Sequence, residues 1–268
     1  MSPPPTGAPP AATGNVTCPQ CGTSNNPSFK FCGSCGFLLQ GAAAAPAAPG
    51  PAPAAPGGGP TRGTLVLIRP DGTEGESISI DGRTVIGRET MPQFAGDSYL
   101  SPRHASFQFG TRPVRVRDEA SLNGIYLRID REMPVELEDG AIFRIGQEII
   151  RLQRFPAPQR GPDGVEPMGS PRDGLIGRIC LVTGRDTHGN CYAIPADGLH
   201  LGRERGDILF PDDGYVSGLH ARIHGEGGRI FLTDVGSSNG TFIRIKSEVA
   251  VPSGAMLLMG QQLFRIEY

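Results

Sequence analysis

The chain has 268 residues, enough for about two average domains. Its 25 lysines and arginines against 27 acidic residues leave a net charge of −2, which argues against the broad basic field of a nucleic-acid-centred protein. No run approaches the ~20 apolar residues of a membrane-spanning helix, and with no Trp the cores must lean on Val, Ile, Leu and Phe.

Residues 1–15 are rich in Pro, Gly, Ala and Thr, a composition that favours disorder. The start has neither a basic segment nor an apolar run, so an export signal is not expected and a cytoplasmic location is. Residues 16–39 hold Cys18-x2-Cys21 and Cys32-x2-Cys35, in CPQCG and FCGSCG. Two such turns can aim four thiolates at one tetrahedral point, which suits a single structural Zn²⁺. A module this small cannot bury enough apolar area alone, so metal ligation would supply its folding energy. The segment resembles the short zinc ribbons at the N-termini of many prokaryotic regulatory proteins. That likeness implies a scaffold rather than an activity.

Residues 40–61 form a first linker. Positions 41–60 contain only nine Ala, five Gly and six Pro, so no side chain there can build a core. From residue 62 the texture changes to short apolar runs separated by Gly, Asp and Asn turns. ESISI and VRVRD alternate at period two, the strand period. No helical stripe appears, and 62–155 reads as an all-β sandwich. Residues 156–173, with five prolines, form a second linker. Strand texture then resumes over 174–268.

The two β regions are an internal repeat. Gly87-Arg88 recurs as Gly202-Arg203, Ser101-x-x-His104 as Ser217-x-x-His220, and Asn123-Gly124 as Asn239-Gly240, at offsets of 115, 116 and 116. Each motif alone is weak; their order, spacing and duplication carry the signal. Loops from one end of a sandwich converge. A guanidinium, a hydroxyl and a carboxamide on such loops can meet one phosphorylated peptide, the guanidinium through charge-assisted bonds.

With these landmarks both repeats resemble forkhead-associated domains, eleven-stranded sandwiches that bind phosphothreonine peptides. The resemblance implies that Arg88 and Arg203 contact the phosphate or its flanks, that Ser101 and Ser217 bond the phosphate, and that Asn123 and Asn239 hold the peptide backbone. It also implies that His104 and His220 brace the loops, with Gly87, Gly124, Gly202 and Gly240 supplying turn geometry. Ser238 stands where the family usually has Ser or Thr in the phosphate pocket, whereas copy one has Leu122. Thr241 of copy two is likewise Ile125 in copy one. Copy two is therefore expected to bind phosphothreonine and copy one to be weakened or retuned.

The expected whole is an all-β chain: two such sandwiches plus the zinc ribbon, a non-enzymatic adaptor for threonine-phosphorylated proteins, whether a Ser/Thr kinase or its substrates. A membrane is not an expected partner, and nucleic acid is a poor one. The second linker would let the two sandwiches engage a ligand bivalently. Two other functions fit the same motifs: a phosphate-independent interaction or oligomerisation scaffold, and nucleic-acid tethering through the ribbon. No nucleophile elbow, P-loop or dinucleotide fingerprint is present. Cys180 and Cys191, in strand-like RICLV and CYAI, read as small core hydrophobes.

Overall fold

A computed structural model describes residues 15–17, 24–25, 60–110, 113–156, 161–165 and 169–268. The chain divides into two compact units, Met1–Pro56 and Gly57–Tyr268. In the first, β1 (Val16–Thr17) pairs antiparallel with β2 (Ser24–Asn25). The four cysteines of the expected zinc ribbon lie outside the described residues.

Among its described residues the second unit is all-β with a single 3-10 turn, Pro92–Phe94. The first repeat supplies β3 (Arg62–Ile68), β4 (Glu74–Asp81), β5 (Arg83–Ile86), β6 (Ala105–Gln108), β7 (Val114–Asp118), β8 (Ile125–Arg128), β9 (Val135–Leu137), β10 (Ile142–Ile145) and β11 (Glu148–Arg154). The second supplies β12 (Leu175–Gly184), β13 (Thr187–Pro195), β14 (Leu199–Gly202), β15 (Ile208–Leu209), β16 (Ala221–Glu226), β17 (Arg229–Asp234), β18 (Thr241–Arg244), β19 (Glu248–Val251), β20 (Met256–Met259) and β21 (Gln262–Glu267). The strands follow the alternation in the sequence. In β4 Ile78 and Ile80 are buried between exposed neighbours, and in β7 Val114 and Val116 face inward while Arg115 and Arg117 face out.

The strands do not pair repeat by repeat. One antiparallel sheet of ten strands runs β13-β12-β11-β10-β18-β8-β20-β21-β3-β4. At its centre β8 pairs with β18, Leu127 opposite Ile243, with Tyr126 opposite Arg244 and Arg128 opposite Phe242. Leu127 and Ile243 are equivalent positions of the two repeats, so the seam is pseudo-twofold, as an isologous interface would be. Two smaller sheets complete the sandwiches, β15-β14-β16-β17-β9 and β19-β7-β6-β5.

Each core therefore mixes the repeats. One combines Leu65, Ile86, Phe107 and Ile125 of the first repeat with Val251, Leu257, Phe264 and Ile266 of the second. The other combines Ile179, Leu201, Ile223 and Leu232 of the second with Leu137, Phe143, Ile150 and Leu152 of the first. The last three strands of each repeat have changed places. Antiparallel pairing is the physical reason: it sets the exit of β8 beside the beginning of β18. Ile129 leaves β8 by donating to Thr241 O at 2.9 Å, and Ile245 leaves β18 by donating to Ile125 O at 2.9 Å. The chain continuing from either strand finds itself on the other sandwich.

This changes the role of residues 156–173. The segment joins β11 to β12, which are neighbours in one sheet, with Gln153 opposite Arg178 and Arg154 opposite Gly177. It is a connection within a sandwich rather than the tether between two. The sandwiches are instead joined through the continuous sheet and the short crossings 129–134 and 245–247.

Cys180 and Cys191, opposite one another on β12 and β13, form a disulfide with Cα atoms 4.1 Å apart. Cys180 is buried as the sequence suggested, but Cys191 is exposed and its partner is the other sulfur rather than a core.

Candidate functional site

In copy two Gly202 ends β14 and Arg203 opens the loop after it, the loop before β16 carries Ser217, and the turn between β17 and β18 carries Ser238-Asn239. These loops meet at one end of the sandwich. The backbone N–H of Arg203 donates to Ser217 O at 2.9 Å, and those of Glu204 and Arg205 donate to Gly218 O at 3.1 and 2.8 Å. The Ser238 N–H donates to Ser217 Oγ at 2.9 Å. Asn239 Nδ2 donates to Tyr215 O at 2.8 Å.

His220 locks this arrangement from beneath. It is fully buried; its Nδ1 accepts the Ser217 N–H at 3.0 Å, so the ring proton sits on Nε2 and is given to Gly240 O at 3.1 Å. Burial lowers its pKa below the ordinary 6.5, and the bond to Gly240 and the nearby Asp234 and Asp213 only partly oppose that. A neutral imidazole is what the bond from Ser217 requires, since a second ring proton would meet the amide head-on.

Copy one repeats the design. Arg88 N–H donates to Ser101 O at 3.1 Å, Leu122 N–H to Ser101 Oγ at 2.9 Å, and Asn123 Nδ2 to Tyr99 O at 2.7 Å. His104 is again buried, with Nδ1 3.1 Å from the Ser101 N–H and Nε2 3.0 Å from Gly124 O. Burial lowers its pKa as well, and the Arg244 charge adds to that.

The glycines serve two purposes. Gly124 and Gly240 hold φ of +81° and +90°, the left-handed turn that the sequence suggested. Gly87 and Gly202 are needed for close approach instead of a turn. A Cβ on Gly87 would stand 2.8 Å from Arg103 Cα, and one on Gly202 3.0 Å from Leu219 Cα. Only a bare backbone lets the arginine loop lie against the serine loop.

Four further pairs belong to the site and were not singled out from the sequence, although each obeys the offset of 116. Asp97 and Asp213 accept the N–H of Tyr99 and Tyr215 at 2.9 Å each. Asp118 and Asp234 anchor the asparagine turn through Ser121 and Ser237, whose hydroxyls accept the N–H of Gly124 and Gly240 at 3.0 and 2.9 Å. Asp234 accepts from Gly236 N, Ser237 N, Ser237 Oγ and Thr241 Oγ1 at 2.9, 2.7, 2.6 and 2.8 Å. Its burial would raise the pKa, but these donors outweigh it and hold the carboxyl below 3.8. Asp118 has one such bond, from Ser121 N at 2.7 Å. Ile125 offers no hydroxyl where Thr241 does. In addition, Asp213 Oδ2 accepts the Gln147 N–H at 2.6 Å, and Asp97 Oδ2 accepts from Gln262 Nε2 at 3.0 Å. Each recognition loop is thus fastened to a hairpin that belongs to the other repeat.

What the geometry leaves open defines the chemistry. The Oγ of Ser217 and of Ser101 is used as an acceptor, so each hydroxyl proton remains for a ligand. Asn239 and Asn123 spend one amide hydrogen and keep a second donor and the carbonyl. Arg203 is tied for now to Glu204, Nη2 to Oε1 at 2.7 Å. Leu122 is 59% exposed where copy two has Ser238, while Tyr99 and Tyr215 are exposed alike, at 49% and 48%.

Two all-β sandwiches, each with a serine, an arginine and an asparagine on converging loops over a buried histidine, define a protein of tandem FHA-like modules. The comparison with known families agrees: the FHA domain model matches residues 84–146 and 199–260, and the chain is an FHA-domain-containing protein. A curated relative, the FHA domain-containing protein FhaB of Mycolicibacterium smegmatis, is 28% identical over 94 residues, 34% of this chain. The match spans 61% of that relative's length. No solved structure matches the chain. FHA domains are non-catalytic interaction modules, and the two matched repeats are of that kind. Among the described residues no helix is long and apolar enough to cross a membrane.

Proposed function

We propose that the chain is a signalling adaptor that reads phosphothreonine peptides chiefly through copy two, with copy one retuned, and that Cys18, Cys21, Cys32 and Cys35 hold one structural zinc ion in its N-terminal module. The observation that carries the reading is the serine hydroxyl. Ser217 Oγ receives an N–H and so points an unspent proton outward, next to Arg203 and Asn239. A phosphate at that point would accept from the hydroxyl and pull the Arg203 guanidinium away from Glu204. A dianion competes well for a guanidinium held in an exposed ion pair, because such pairs contribute little.

In copy one the same serine is present, but Leu122 removes the hydroxyl that Ser238 offers in copy two, while Ile125 removes only the buried Thr241 bond to Asp234. Losing one hydrogen bond to a charged group costs ~1.5–3 kcal/mol, a roughly ten- to hundredfold weakening. The exposed Leu122 supports a preference in copy one for an apolar side chain beside the phosphothreonine.

Calorimetric titration of the full chain with threonine, phosphothreonine and phosphoserine versions of one peptide tests the reading. Phosphothreonine alone should bind, and Arg203→Ala with Ser217→Ala should remove the tighter phase. Equal binding of the unmodified peptide would leave a phosphate-independent scaffold as the explanation. Leu122→Ser should tighten the weaker phase at least tenfold; no change would end the assignment of that difference to the missing hydroxyl. For the N-terminal module, metal analysis should give one zinc per chain, lost on Cys18→Ser with Cys32→Ser.

A further inference from the structure

At the pseudo-twofold seam each repeat extends an arginine over the other repeat's asparagine turn. A Cβ on Gly240 would run into Arg128, with Cζ at 2.9 Å. A Cβ on Gly124 would run into Arg244, with Cζ at 2.8 Å. Positions 124 and 240, like 128 and 244, are equivalents, so the contact is reciprocal. The residue that the family pattern demands as glycine is here also the seat of a guanidinium from across the seam. Arg244 is close enough for its charge to be felt at His104, the buried brace of copy one.

Some arginines of the sandwiches are matched by carboxylates, Arg115, Arg229 and Arg265 among them. Among the described residues no carboxylate pairs with Arg128 or Arg244, although both are half-buried. A partly desolvated guanidinium without a counter-charge favours an incoming anion. Its position is one residue beyond the asparagine that keeps a donor and an acceptor for a peptide backbone.

We propose that Arg128 is a ligand-binding residue of copy two and Arg244 of copy one, each selecting an acidic side chain in the peptide that flanks the phosphothreonine. This rests on the phosphopeptide reading above and adds to it a selectivity that neither repeat contains by itself. The strand exchange supplies it: β8 and β18 are neighbours only because the sheet is continuous across both sandwiches.

The test uses the full chain and a peptide pool with a fixed central phosphothreonine and randomised flanks, beside the same pool unphosphorylated. With copy one silenced by Arg88→Ala and Ser101→Ala, copy two should enrich Asp and Glu in the flanks. Arg128→Ala should erase that enrichment and weaken the acidic peptides about tenfold relative to neutral ones. Arg128→Lys should retain most of it. With copy two silenced by Arg203→Ala and Ser217→Ala, the same should hold for Arg244→Ala and Arg244→Lys. Unchanged acidic enrichment in the alanine variants would overturn the proposal while leaving phosphothreonine reading intact. Equal loss of acidic and neutral peptides, with a lowered melting temperature, would reduce the arginines to structural parts of the seam and also overturn it. If the unphosphorylated pool binds as well as the phosphorylated one, the phosphopeptide reading fails and the proposal fails with it.

Discussion

Cutting the chain between Asp163 and Gly164, after inserting a site-specific protease sequence there, separates two interlocked halves and two independent ones by their behaviour. In the exchanged arrangement the N-terminal piece inserts Leu137, Phe143, Ile145, Ile150 and Leu152 into one core. The C-terminal piece inserts Ile245, Val251, Leu257, Met259, Phe264 and Ile266 into the other. At ~1.5–3 kcal/mol for each fully buried side chain, these eleven are worth roughly 16–33 kcal/mol gross. Association costs ~4–15 kcal/mol. The midpoints leave about 15 kcal/mol, more than the ~12 kcal/mol of a nanomolar complex. The cleaved protein should therefore elute from size exclusion at the position of the uncut chain and resolve into two fragments only in denaturant. Release of two half-sized, folded fragments in native buffer would refute the exchange, because sandwiches contiguous in sequence share no core across that cut.

Asp234→Ala removes the acceptor of four donors, so it should destabilise by at least ~3 kcal/mol in denaturant melts, while Asp118→Ala, with one such bond, should cost distinctly less. Acid should weaken the fold in two stages. His104 and His220 have folded pKa values below 6.5, so the unfolded chain binds protons first and stability falls as pH drops below about 6.5; Asp234 has a folded pKa below 3.8, so its contribution is lost only further down. Melting temperatures across pH 2–8 check this, and replacing both histidines with Gln should flatten the first stage. Ala120, at φ +57°, stands where copy two has Gly236 at φ +96°. Ala120→Gly relieves a left-handed strain of ~1–2 kcal/mol against ~0.5–1 kcal/mol of added chain entropy, and should stabilise by up to about 1 kcal/mol in thermal melts.

Much of this protein follows from local chemistry. Alternation in VRVRD and ESISI sets which side chains face a core, because strand period is a property of the backbone. The repeated Gly-Arg, Ser-x-x-His and Asn-Gly landmarks, read at constant spacing, place serine, arginine and asparagine on loops that meet, and the histidine under them. The same spacing also marks Asp97, Tyr99, Asp118 and Ser121 with their partners in the second repeat. They are easily passed over because each alone is an ordinary turn residue.

Which strand pairs with which is decided elsewhere. IFRI of β10 and MLLM of β20 present the same inward alternation at the same depth in their repeats, so either fits beside β8 or β18. A hydrophobic pattern specifies a face, and two equivalent repeats offer two equivalent faces. Only the antiparallel contact of β8 with β18 directs each chain onto the other's sandwich, and with it Arg128 and Arg244 onto the other's turn. A long-range pairing of this kind leaves no trace at the residues it joins, since its energy is shared among side chains that would be buried in either arrangement.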